Sequence, residues 1–108
     1  MRSVILINRE RDLNQVLKRR KTEDFKILYH SLWDPYSKRI INLLDEWAGR
    51  EGNETIYVVD SWDLPQAFSA FSISSAPSLV HVRSKKVRVD VEYPKVYNYF
   101  TAGRPKTA

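Results

Sequence analysis

Residues 25–38 read Phe25-Lys26-Ile27-Leu28-Tyr29-His30-Ser31-Leu32-Trp33-Asp34-Pro35-Tyr36-Ser37-Lys38, and within this stretch the chain changes its period. Up to Leu32 it is apolar and aromatic enough for a buried central strand. At Asp34 a helix begins. A carboxylate is a favourable N-cap, and Pro35 suits the first helical position because its missing N–H would have had no intrahelical partner. Ile40, Ile41, Leu43, Leu44, Trp47 and Ala48 then supply a broad apolar face, with Gly52 as the stop.

The flanking segments repeat this alternation. Residues 4–7 form a short β-branched and apolar strand, and residues 9–21 place Leu13, Val16 and Leu17 at helical spacing. Residues 55–59 are a third strand, and Leu64, Ala67, Phe68 and Phe71 give a short third helix. After Ala76-Pro77, residues 78–83 and 87–92 read as a hairpin joined by Ser84-Lys85-Lys86. Val96, Tyr99 and Phe100 mark a final helix. The order βαβαβαββα implies an α/β architecture with a mixed central sheet and helices on both faces, a three-layer α/β/α sandwich. Residues 1–102 make one domain, and residues 103–108 read as a flexible C-terminal tail.

Composition narrows the chemistry. The 108 residues are 43% hydrophobic and 29% charged, a balance that folds rather than remains disordered. There is no cysteine, which removes disulfides, thiolate metal ligands and thiol nucleophiles together. Two histidines and scattered carboxylates show no metal-ligand spacing, so neither a metal nor a cofactor is expected. The apolar run at residues 4–7 is too short for a membrane span or a signal-peptide core, which makes a cytoplasmic location the default expectation. The formal charge of +5 favours anionic partners without specifying one.

The strand that feeds Trp33-Asp34-Pro35-Tyr36-Ser37-Lys38, taken with the element order, resembles the thioredoxin superfamily, whose motif is W-C-x-x-C-K. Asp34 and Ser37 fall on the two cysteine positions, and Pro35-Tyr36 looks like the centre of the glutaredoxin C-P-Y-C motif. Forty residues after Ser37, the segment ending Ala76-Pro77-Ser78-Leu79 is similar to the family's I-P-T-L. Val58-Val59-Asp60 with Pro65 looks like its V-D-x-x-x-P. The resemblance implies a cis Ala76-Pro77 bond beside the start of the second helix, and a groove for extended peptides lined by Trp33, Tyr36, Ser75, Ala76 and Pro77.

The departures bear on chemistry. Asp34 is no nucleophile towards sulfur, and an alkoxide at Ser37 is far too basic to exchange with disulfides at neutral pH. The family's buried acid, six positions before the first cysteine, is replaced by Leu28, and its lysine partner falls near Ile56. The glycine that usually flanks the groove corresponds to about Tyr93, which either fills the cleft or leaves it open. Dithiol exchange is therefore excluded, and the expected role is a redox-inactive module that binds a protein partner or serves as an assembly subunit.

Other readings are weighed beside this one. Asp34 serves better as a helix cap than as a general base, because hydrogen bonds from the helix N-terminus favour its charged form. His30, Asp34 and Ser37 match no hydrolase spacing, and His81 has still less to recommend it. Trp33 and Tyr36 suit a binding hot spot or, equally, aromatic packing. The basic clusters Lys18-Arg19-Arg20-Lys21 and Arg83, Lys85, Lys86, Arg88 read first as solvated surface. Nucleic acid is the alternative partner.

Overall fold

The computed structural model describes residues 2–19, 22–31, 33–50, 52–60, 64, 73, 75–83 and 85–102. The β-branched and apolar runs become strands β1 (Ser3–Ile7), β2 (Phe25–His30), β3 (Thr55–Asp60), β4 (Ser78–Arg83) and β5 (Lys86–Asp90). Helices α1 (Glu10–Lys18), α2 (Pro35–Ala48) and α3 (Tyr93–Thr101) carry the 3.6-residue patterns. The strands form one sheet in the order β1-β3-β2-β4-β5. β1, β3 and β2 are parallel, and β4 runs antiparallel to both of its neighbours, β2 and β5, so the sheet is mixed.

Burial follows position in the sheet. β2 and β3 lie inside it and are covered on both faces, which is why FKILYH and TIYVVD read as nearly continuous apolar runs. The edge strands β1 and β5 are largely exposed. Two apolar clusters fill the two sides. Leu13 and Val16 of α1 pack with Ile27, Tyr29 and Val80 on one. Ile40, Leu44 and Trp47 of α2, with Val96 and Phe100 of α3, pack with Leu28, Ile56 and Leu79 on the other.

Several boundaries differ from those read in the sequence. β2 ends at His30 rather than at Leu32, and α2 ends at Ala48 with Gly49 as its C-cap, so Gly52 is not the stop. α1 stops at Lys18 instead of running to residue 21. Its apolar period ends at Leu17, and the Arg19 carbonyl takes the N–H groups of Thr22 and Glu23, closing the chain into a turn. Lys86 belongs to β5 rather than to the turn, because Arg83 and Lys86 are the closing pair of a two-residue connection whose second residue, Lys85, has φ 67°. β5 ends at Asp90, before Glu92 takes the extended N-cap conformation of α3. Leu64 is buried and its N–H bonds the Asp60 carbonyl. The rest of the third-helix pattern, Ala67, Phe68 and Phe71, lies outside the described residues, as do Pro65 and the tail. No helix among the described residues is long and apolar enough to cross a membrane.

Candidate functional site

β2 delivers the chain to the start of α2, where the local hydrogen bonds are complete without sulfur. Asp34 has extended backbone angles, and its Oδ1 accepts the Tyr36 N–H at 2.8 Å. Pro35 occupies the first helical position, as its fixed φ favours. Ser37 is fully buried, and its Oγ accepts the Ser31 N–H at 3.2 Å. The residues on the two cysteine positions of the motif therefore cap the helix and tie it to the end of β2.

The aromatic residues of the motif face outward. Trp33 is 77% exposed and Tyr36 50% exposed. The Tyr36 ring is flanked by Tyr93, at 4.6 Å between centroids, and by the Arg39 guanidinium at 5.7 Å. Tyr93 thus rests on the motif itself. Lys38 continues α2 on its exposed side, its N–H bonded to the Asp34 carbonyl.

The same end of the sheet carries the proline. The Ala76-Pro77 peptide is cis, Pro77 is buried, and Ser75 is exposed. The Ser78 hydroxyl donates to the Ser75 carbonyl at 2.8 Å and is itself buried. Ser78 stands opposite Tyr29, next to the last residue of β2, so the register sets Pro77 beside the strand end that leads into the motif.

His30, Asp34 and Ser37 do not make a catalytic set. The His30 Nδ1 faces Asp60 Oδ2 at 3.5 Å across the β2–β3 register, and both side chains are buried. The Asp34 and Ser37 oxygens bond backbone N–H groups. No group of histidines and carboxylates among the described residues could hold a metal ion.

Neither a protein-family model nor a curated protein sequence matches this chain. Solved structures do. Thioredoxin O2 from Arabidopsis thaliana superimposes with a TM-score of 0.75 at 16% identity, covering 94% of this chain and 95% of that one. Thioredoxin NaTrxh from Nicotiana alata gives 0.75 at 10% identity, over 94% and 93% of the two chains. The thioredoxin pre-protein of Schistosoma mansoni gives 0.70 at 19%, over 92% and 96%. This is a thioredoxin fold without the thioredoxin cysteines.

Within that fold the interior beside the motif is apolar. Leu28 and Ile56 are both fully buried and belong to the same apolar cluster under α2, where the resemblance placed an acid and its lysine. Tyr29, on the other face of β2, is fully buried as well, and burial pushes its phenol up to about 12. No thiol of this thioredoxin fold remains to be tuned, so dithiol exchange is closed to it.

The two basic clusters read from the sequence separate onto opposite faces. Lys18 and Arg19 lie at the end of α1, where Arg19 donates to the Tyr57 hydroxyl at 3.4 Å. Arg20 and Lys21 lie outside the described residues. Arg83, Lys86 and Arg88 lie on the other face, beside a network that the sequence reading missed. Glu54 there receives Arg2 and Lys26, each at 3.1 Å, and the Tyr99 hydroxyl. Gly52 makes room for this arrangement, because a Cβ at its φ of 149° would stand 2.8 Å from the Arg2 Nε.

Burial works to raise the Glu54 pKa, but Tyr99, Lys26 and Arg2 together outweigh it and hold the carboxyl below its ordinary value. Burial and the charge on Glu54 push the Tyr99 phenol well above its usual range. The His81 Nε2 sits 2.9 Å from Asp90 Oδ2 and 3.2 Å from the Arg88 guanidinium. Burial, with Arg88 and Lys26 nearby, lowers the His81 pKa despite Asp90. The signal for this network was the alternation Lys86-Val87-Arg88-Val89-Asp90, which puts every charged residue of β5 on one face.

Proposed function

We propose that this chain is a redox-inactive binding module that holds an extended segment of a protein partner at the end of the sheet where the degenerate motif and Pro77 meet. The observation that carries this reading is the 77% exposure of Trp33 on the residue before the helix cap. An aromatic this exposed keeps most of its apolar area available to a partner, and aromatic anchors of this kind dominate binding energetics when a partner covers them. Tyr36, Ser75 and Ala76 form the rest of the surface, and the backbone beside the proline offers hydrogen bonds to an added strand. Tyr93 braces the Tyr36 ring from behind in this reading, so part of the aromatic surface is ordered before any partner arrives. On this reading the module carries out no reaction of its own.

Capture from nuclease-treated source-cell extract tests the proposal. Wild-type chain is compared with Trp33→Ala and with Trp33→Ala/Tyr36→Ala, after thermal unfolding shows each variant folded. A discrete protein retained by wild type, weakened by the first variant and lost from the second, supports the groove. Recovery indifferent to both substitutions rejects it.

A further inference from the structure

The charged face of β4 and β5 lies at the opposite end of the sheet from the motif, and nothing in the proposed groove uses it. A broad cleft of about 1080 Å³ opens there, lined among others by Lys26, His81, Arg83, Lys86, Arg88 and Tyr99. Register explains why these residues converge. Lys26 stands opposite His81 on the neighbouring strand, His81 opposite Arg88 on the next, and Arg83 opposite Lys86 one step further along the ladder. Two-residue periodicity then puts all five on the face that carries α2 and α3, past the point where those helices cover it.

Such a face in a three-layer sandwich is ordinarily apolar and buried, and at this end it is basic and open. The carboxylates present offset it only in part: Asp24 lines the cleft too, one residue before the Phe25–Val82 pair and so beside Arg83. Glu54 is shared by Arg2, Lys26 and the Tyr99 hydroxyl, and Asp90 by His81 and Arg88. Among the described residues no ion pair engages Arg83 or Lys86. These two stand directly opposite each other, and like charges in that position destabilise a sheet. The hairpin keeps a repulsive pair that one opposite charge would turn into an attractive one, and a polyanion seated on it would do the same.

We infer that this cleft binds the phosphate backbone of a single-stranded nucleic acid. Cations on adjacent strands lie about 4.8 Å apart and those two residues apart along a strand about 6.8 Å apart. That forms a row commensurate with successive phosphates, where a single phosphate would need only one or two of them. The concave wall suits a flexible strand of phosphates, which can follow it, better than a flat bilayer.

The test is fluorescence anisotropy of a labelled oligouridylate, with equimolar phosphatidylserine–phosphatidylcholine vesicles as the competing arm. Three phosphate contacts from Arg83, Lys86 and Arg88 predict a log–log salt slope of about −2, or an affinity loss of about twentyfold between about 50 and 200 mM salt. Arg83→Ala/Lys86→Ala/Arg88→Ala should weaken binding more than about tenfold and flatten that slope. The charge-matched Arg9→Ala/Arg11→Ala/Lys18→Ala, on the α1 face, should bind within about threefold of wild type. Lys86→Glu should weaken binding while raising Tm by about 1–5 °C, since it replaces repulsion with attraction across the hairpin. The inference is overturned by any one of four results: no oligouridylate binding at low salt, unchanged binding by the hairpin variant, equal loss in the α1 control, or capture by vesicles alone.

Discussion

The two ends of the sheet have been treated in opposite ways. At the α2 end the framework of the thioredoxin fold is intact and its reactive atoms are gone: a cap, a buried hydroxyl and a cis proline hold the chain, and neutral aromatics face the solvent. At the hairpin end the framework is ordinary and the side chains are not, with basic residues set in register on a face left uncovered. The contrast teaches that the fold holds its motif end together with oxygen acceptors in place of sulfur. Asp34 and Ser37 accept the backbone N–H groups of Tyr36 and Ser31, and Leu28 belongs to the apolar interior, so the fold is satisfied at this end without cysteine.

The sharpest way to break that comparison is to put the acid back. Leu28→Asp would bury a carboxylate among Ile40, Leu44, Ile56 and Phe100, at a cost of about 4 kcal/mol or more, and urea unfolding should find the domain largely unfolded. A stable Leu28→Asp protein would mean that the interior still accommodates the charge. Ser37→Ala removes the acceptor of the Ser31 N–H from a buried position and should cost about 1–3 kcal/mol by the same measurement. Asp34→Ala, losing only the cap, should cost about 1 kcal/mol.

The smaller effects belong to the charged end and appear as pH dependence. The Glu54 pKa is held below its ordinary 4.5 in the folded chain, so its contribution is complete above that value and is lost as pH falls through the folded-state pKa. The Tm of wild type should therefore drop on acidification below about pH 4.5, and Glu54→Gln should drop less. His81 is also depressed, from 6.5. The folded chain takes up its proton less readily than the unfolded one, and stability should fall as pH descends below 6.5. Arg88→Ala removes a charge that opposes protonation, and an NMR titration should show the His81 pKa rising.

Much of this contrast was legible in the residues, and unevenly so. The motif end could be read because its signals are local: Asp34-Pro35 announces a cap and a first turn, and Ala76-Pro77 lies at a fixed separation from it. Leu28 declared the apolar interior in the same way. The hairpin end was harder, because its chemistry depends on which residue faces which across three strands. Nothing near Lys26 in the chain points to His81, and only the ladder brings Arg88 into line with both. The early end of α1 was missed for a different reason: charged residues are compatible with a helix or a turn, and the turn closes on the Arg19 carbonyl after the apolar period has ended at Leu17.

The aromatic rings along α3 give the helix a grip at each end. Tyr93 rests on Tyr36 at the motif, and six residues later Tyr99 bonds the carboxylate that Arg2 and Lys26 share. The helix spans about 13 Å, so one short rod carries both contacts. Val96, between them, and Phe100, just beyond the second, are fully buried and seat the helix on the core. α3 is thus one stiff element in contact with both the motif and the salt-bridged corner around Glu54.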